Sequence, residues 1–291
     1  MNILYITYLL NGLLMIALPI GLAVYMARRF RLGWRLVWIG AATFILSQVL
    51  HIPFNNLALT PLLGNLGLEN NPTLRLVLIA LAYGLSAGLF EELFRYGAYR
   101  WWAREARSWP QGVMLGVGHG GVEAFVLGLL VLYGYVQMIA LRGMDLNLVA
   151  SGEQLATLQQ QIAAYWSAPP LMSLLGAVER ALTIPIQITF SVIVLQVFRR
   201  RQIRWLGLAI GWHMLIDAAA VIAISTTSPL ATEAVIAGFT ALSLVILFAL
   251  RETPAQPAIA EETPLPPVMQ PEDYPTPSAA SDLDSTRFTQ N

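Results

Sequence analysis

Residues 111–138 read QGVMLGVGHGGVEAFVLGLLVLYGYVQM, with one charged side chain, Glu123, and one imidazole, His119. About 20 apolar residues suffice to cross the hydrocarbon core of a bilayer. A segment there must satisfy its own backbone hydrogen bonds, so it is read as a helix. Working outward, six further runs have the same character: 5–26, 37–60, 74–98, 169–198, 204–226 and 231–250. With 56% hydrophobic and 12% charged residues, the chain is expected to be an all-α, polytopic transmembrane helix bundle of about seven spans. The 111–138 and 169–198 runs exceed what a bilayer requires, so tilt or projection into the outer aqueous phase is expected. Pro185 predicts a kink in the latter.

The net charge of zero conceals two unlike parts. Residues 1–251 carry 16 Arg against 10 acids, about +6; residues 252–291 carry seven acids and only Arg287, about −6. The first part is expected to be the membrane domain. The second, with eight Pro, cannot bury enough apolar surface to order itself. It is expected to be a disordered cytoplasmic tail, either solubilising or docking. Between the fourth and fifth spans, residues 143–167 alternate polar and apolar positions, which predicts an amphipathic helix on the outer surface, with a lid as an alternative role. No cleavable signal is expected, because Met1 to Gly12 carries no charge.

Arginines flanking the spans alternate as four, one, three, one, four and none, with Arg251 after the last. The positive-inside rule then places the N-terminus outside and the C-terminus in the cytoplasm. Trp34, Trp38, Trp101, Trp102, Trp109 and Trp205 fall at the cytoplasmic boundaries, where an aromatic belt belongs. Every basic residue is Arg and there is no Cys. Lysine Schiff-base chemistry, thiol nucleophiles, thiolate metal sites and disulfides are therefore excluded.

Ionisable groups in hydrocarbon cost roughly 2.5–3.5 kcal/mol each on insertion scales. Even so, His119-x-x-x-Glu123 and His213-x-x-x-Asp217 lie inside apolar spans, and a third span holds Glu91-Glu92-x-x-Arg95. At 1.5 Å of rise per residue, His119, His213 and the two Glu lie at one depth, roughly 12–14 Å from the cytoplasmic boundary. Residues at i and i+4 share a face, so each His–acid pair does. Adjacent Glu91 and Glu92 cannot both ionise cheaply at depth, and Arg95 can pair with one of them. Peptide hydrolysis needs a base for water and a group for the developing oxyanion; Glu and His can supply both.

Alternatives remain at each motif. The Glu–Glu–Arg group could be a structural ion-pair cluster, and the His–acid pairs could satisfy each other. Glu179-Arg180 could be a self-paired couple, or Glu179 could reach a central cavity. His51, with Gln48, Asn55 and Asn56, forms a stripe suited to supporting hydrogen bonds. The glycines of Gly116-Val117-Gly118-His119-Gly120-Gly121 allow either tight helix packing or access for a peptide or water. A proton- or metal-coupled transporter would use the same residue types, although no inverted repeat accompanies them. A membrane scaffold would leave the buried acids unexplained.

Taken together, Glu91-Glu92-Leu93-Phe94-Arg95-Tyr96, the Gly118-His119-Gly120-Gly121-Val122-Glu123-Ala124 block, Glu179-Arg180 and His213-x-x-x-Asp217 resemble the YhfC family of intramembrane metalloproteases. That family is similar to the CPBP group of CAAX prenyl proteases and bacteriocin-processing enzymes. In the CAAX-type pattern three residues separate the second Glu from the Arg, and Asn follows the last His. Here two residues separate them and Asp217 stands at the latter position, which fits the YhfC-like pattern better. The resemblance implies a peptide or membrane-protein substrate in the bilayer of a bacterial-type plasma membrane, and no nucleic-acid partner. It implies catalytic roles for Glu91, Glu92, His119 and His213: one Glu with His119 activating water, and His213 steadying the oxyanion or holding metal. Arg95, Glu123, Asp217, Glu179, Arg180 and His51 would support them. No His-Glu-x-x-His motif occurs. Zinc on His119, His213 and a carboxylate, with one open position, is one option; a metal-free glutamate mechanism is the other.

Overall fold

The computed structural model describes residues 3–67 and 70–251. Among them the chain is helical apart from short connections. Helix α1 spans Ile3–Phe30 and α2 spans Arg35–Phe54. A π-helical turn, Asn55–Leu59, carries α2 into the short α3, Thr60–Gly64. Pro53 and Pro61 lack the amide hydrogens a regular ladder would use there, and such widened turns recur at functional sites. Helix α4, Pro72–Gly97, likewise continues through a π-helical turn, Ala98–Trp102. Then come α5 (Trp109–Arg142), α6 (Gly152–Ser167), α7 (Leu175–Arg200), α8 (Arg204–Thr226) and α9 (Pro229–Ala249).

Seven of these segments are long and apolar enough to cross a membrane, at the positions the sequence predicts. The expected tail, 252–291, lies outside the described residues. Helix α6 occupies the predicted amphipathic segment. Its half-buried side chains Leu155, Leu158, Ile162 and Trp166 repeat at helical spacing, while Gln159, Gln160 and Gln161 are exposed. Tyr165 stacks on Tyr8 of α1 at 4.0 Å between ring centres, and the Tyr8 hydroxyl donates to the Tyr165 carbonyl at 2.9 Å.

Helix α7 sits at the centre, in contact with α1, α4, α5, α8 and α9. Its most apolar window is 72% buried, against 17–33% in the other spans, and its buried polar side chains find partners on neighbouring helices, as Arg180 does on Glu123 and Thr189 on the Ser243 carbonyl. The helix continues through Pro185. One turn before that residue, the Leu182 carbonyl accepts from Thr240 Oγ1 of α9 at 3.0 Å.

Glycines set the approach of the helices that carry the polar residues. A Cβ on Gly118 of α5 would overlap the Val37 carbonyl of α2, and one on Gly40 of α2 would overlap the Leu115 carbonyl of α5. Gly116 and Gly120 turn the other way: a Cβ there would lie 2.5 Å from Ile188 Cα and 2.7 Å from Gln187 Cβ of α7. The glycine-rich block is therefore packed by helices on two sides, while Gly118 and Gly121 also line a cavity of about 350 Å³ with Pro19, Val37 and Phe125. Gly84 and Gly88 do the same between α4 and α8, where a Cβ would meet the Met214 and Ile210 carbonyls at 2.6 and 2.8 Å.

Gly118→Ala is expected to lower the detergent unfolding midpoint by several degrees, since overpacking costs about 1–3 kcal/mol. Gly134→Ala, where a Cβ meets nothing within 4 Å, should leave it unchanged or raise it. Equal midpoints for the two variants would refute this account of the interface.

Candidate active site

Packing through Gly40 and Gly118 puts Thr43 of α2 against His119 of α5. Packing through Gly88 lets His213 of α8 approach α4, since a Cβ on Gly88 would stand 3.3 Å from His213 Cβ. One turn further along α4 come Glu91, Glu92 and Arg95. All five ionisable side chains are buried: Glu91 is 6% exposed, His213 3%, and Glu92, Arg95 and His119 0%. The residues that the sequence brought to one estimated level are thus in contact.

Glu91 lies at the centre. Its Oε2 is 3.0 Å from His119 Nε2, 4.0 Å from His213 Nε2 and 3.6 Å from Arg95 Nη2. Its Oε1 accepts from Gln48 Nε2 at 3.1 Å. Glu92 turns to the other side of α4, as the 100° step between neighbours requires. Its Oε1 pairs with Arg95 and stands 2.8 Å from His213 Nδ1. Glu92 Oε2 is buried without a hydrogen-bond partner.

The hydrogen bonds fix how the imidazoles present themselves. Thr43 Oγ1 has a single hydrogen, which it donates to the Gly40 carbonyl at 2.6 Å. It must therefore accept from His119 Nδ1, 2.8 Å away. His213 Nδ1 donates to the Glu92 carboxylate. In both rings the Nε2 lone pair is left to face Glu91 or, for His213, also Asp217 Oδ2 at 3.5 Å. Imidazole lone pairs and a carboxylate are all acceptors, so a proton or a metal cation belongs between them. Ring contacts hold the orientation: Phe190 stacks on His213 at 4.4 Å and 6°, and Phe44 meets His119 edge-on at 5.4 Å.

Expected supporting residues divide into two groups. Arg180 pairs with Glu179 and with Glu123 Oε1, the latter at 2.7 Å. Glu123 is thus turned to α7, and Thr43 rather than Glu123 orients His119. The link back is Gln187 of α7, which donates to Glu123 Oε2 at 2.9 Å and accepts from Arg95. Glu179 does not stop at pairing. With Arg180, Glu123, His213 and Asp217 it lines a cavity of about 120 Å³, ample for several waters. His51 lies 2.9 Å from Asn55 and 3.3 Å from Gln48 Oε1, and so reaches Glu91 only through Gln48.

Sequence reasoning missed Thr43 and Gln187. Both had a spacing signal: Thr43, Ser47 and His51 share one face of α2, and Arg180, Ile184 and Gln187 share one of α7.

Among the described residues, no three His, Asp or Glu side chains are arranged to hold a metal ion as they stand. The donor chemistry nevertheless suits one. When neutral, the two imidazoles offer Nε2, each with its Nδ1 held by a polar partner as zinc-bound histidines require. Donor atoms on one zinc stand about 3.3 Å apart, and the 3.5 Å between His213 Nε2 and Asp217 Oδ2 is close to that value. Ionised, Glu91, Glu92, Glu123, Glu179 and Asp217 exceed Arg95 and Arg180 by three negative charges, which added positive charge would offset.

The fold and this cluster define a multi-pass membrane protein with an ionisable centre enclosed by its helices. The chain belongs to the YhfC intramembrane metalloprotease family, whose family model matches residues 14–240. It is 30% identical over 223 residues to the uncharacterized membrane protein YhfC of Bacillus subtilis (strain 168), a match covering 73% of this chain and 82% of that protein. No solved structure matches.

Proposed function

We propose that the centre hydrolyses peptide bonds of membrane-embedded substrates, on the side of the midplane that the arginine asymmetry marks as cytoplasmic. The observation that carries this reading is the position of Glu91 Oε2, enclosed by His119, His213 and Arg95 and steadied through Gln48. In this reading Glu91 takes a proton from water as the hydroxide forms its bond to the scissile carbonyl carbon. Glu91 then returns that proton to the leaving amine nitrogen. Such proton transfer is worth typically 10²–10⁴-fold. The cavity beside His213 and Asp217 supplies the water. Thr43 and Glu92 hold the imidazoles in the tautomer that presents Nε2, and Arg95 balances Glu92.

His119 Nε2, His213 Nε2 and Asp217 would hold a divalent metal, zinc by donor type. When bound, it supplies a Lewis acid for the carbonyl and an activated water. Purified protein in lipid vesicles, given apolar helical peptides carrying a fluorescent reporter, tests the reading. Cleavage should fall to background after exhaustive chelation and return with zinc. Undiminished cleavage in metal-free protein would remove the metal and leave Glu91 and the imidazoles to act alone. No cleavage by the zinc-loaded protein, across peptides of varied sequence, would count against hydrolysis itself.

A further inference from the structure

At the end of α4, a cavity of about 240 Å³ is lined by Arg100, Trp101, Arg104 and Arg107. Three guanidinium groups therefore share one space. Arg107 is anchored, donating to the carbonyls of Tyr99, Ala103 and Ala106 at 3.2, 3.2 and 2.8 Å and lying 4.7 Å over the Phe198 ring. Arg104 uses only Nε, which donates to the Arg100 carbonyl at 3.0 Å. The terminal nitrogens of Arg104 and the whole Arg100 guanidinium make no hydrogen bond or ion pair with the described residues. Glu105, the acid nearest in the chain, is turned away to pair with Arg35.

Like charges gathered without a counter-charge repel one another unless an anion joins them. Guanidinium forks match phosphate oxygens in shape and charge. Trp101, which lines the cavity, and its neighbour Trp102 are 62% and 43% exposed on the π-helical turn that ends the span, the level at which exposed Trp meets lipid headgroups. We infer that this cavity binds a phosphate group, that of an anionic phospholipid in the adjoining leaflet. The lipid charge that favours juxtamembrane arginines acts in the same direction.

The test uses the purified full-length protein, equilibrated with vesicles of phosphatidylcholine with or without phosphatidylglycerol. Mass measurement of the re-isolated protein reads the lipid it retains. Arg100→Gln with Arg104→Gln should reduce retained phosphatidylglycerol at least about tenfold, the loss expected for charge-assisted hydrogen bonds. Arg28→Gln with Arg29→Gln, equal in charge but remote in the chain, should leave it unchanged. Equal losses in the two double variants would overturn the site.

A second measurement needs no variant. Phosphatidylglycerol should slow phenylglyoxal modification of Arg100 and Arg104 in the unaltered protein, relative to phosphatidylcholine alone. Equal rates in both vesicles would overturn the lipid assignment. If millimolar inorganic phosphate protects as fully without phosphatidylglycerol, the phosphate site stands and its source is soluble.

Discussion

Glu91→Gln is expected to lower peptide cleavage by about 10²–10⁴-fold while leaving the helix bundle intact. The substitution preserves size. The retained amide oxygen can still accept from Gln48, and the new amide hydrogens can donate to the His119 Nε2 lone pair at the existing 3.0 Å. What disappears is the carboxylate proposed to take water's proton. Glu92→Gln is expected to differ. It weakens the charge partner of Arg95, a guanidinium with no exposure. Breaking a buried pair costs about 3–5 kcal/mol, so this variant should accumulate poorly and unfold at lower temperature. Rates in vesicles and unfolding midpoints, measured on both variants, separate the roles. Wild-type cleavage by a well-folded Glu91→Gln protein would end its assignment as the base.

His119→Ala and His213→Ala are each expected to abolish cleavage and bound metal together. Each removes one of two Nε2 donors, and the chain has neither Cys nor an imidazole at that depth to replace it. Elemental analysis should give about one equivalent of zinc in the unaltered protein and close to none in either variant. Thr43→Val keeps both donors but frees the His119 ring to rotate. Changes to such orienting partners typically cost 10–100-fold, so its metal content and rate should fall partway. Zinc retained at full stoichiometry in both histidine variants would move any metal to another place in the molecule.

The spans were legible because membrane helices announce themselves by hydropathy. That Glu91, Glu92, His119 and His213 could meet was legible because helical rise is constant. Which helix occupies the centre was harder to read. The burial of α7 depends on five neighbours, and its sequence, which includes Glu179, Arg180, Gln187 and Gln196, does not mark it as the central helix. The partners of the imidazoles were legible least. His119 and Glu123 share a face, yet Glu123 reaches across to Arg180, because Gly120 admits Gln187 and draws α7 against α5. Thr43 and Gln187 carry no charge, so nothing in composition marks them; only the closeness that glycines permit makes them part of the centre. Glycine identity gave the contact, while its direction required the assembled helices.

The most direct test of the hydrolytic centre follows the oxygen atom of water. Membranes containing either the unaltered protein or Glu91→Gln at equal abundance are incubated in ¹⁸O-labelled water, and peptide termini are compared by mass spectrometry. The account predicts new C-termini within apolar segments, each carrying one ¹⁸O, in membranes with the unaltered protein and not with Glu91→Gln. Identical sets of labelled termini in both membranes would contradict it.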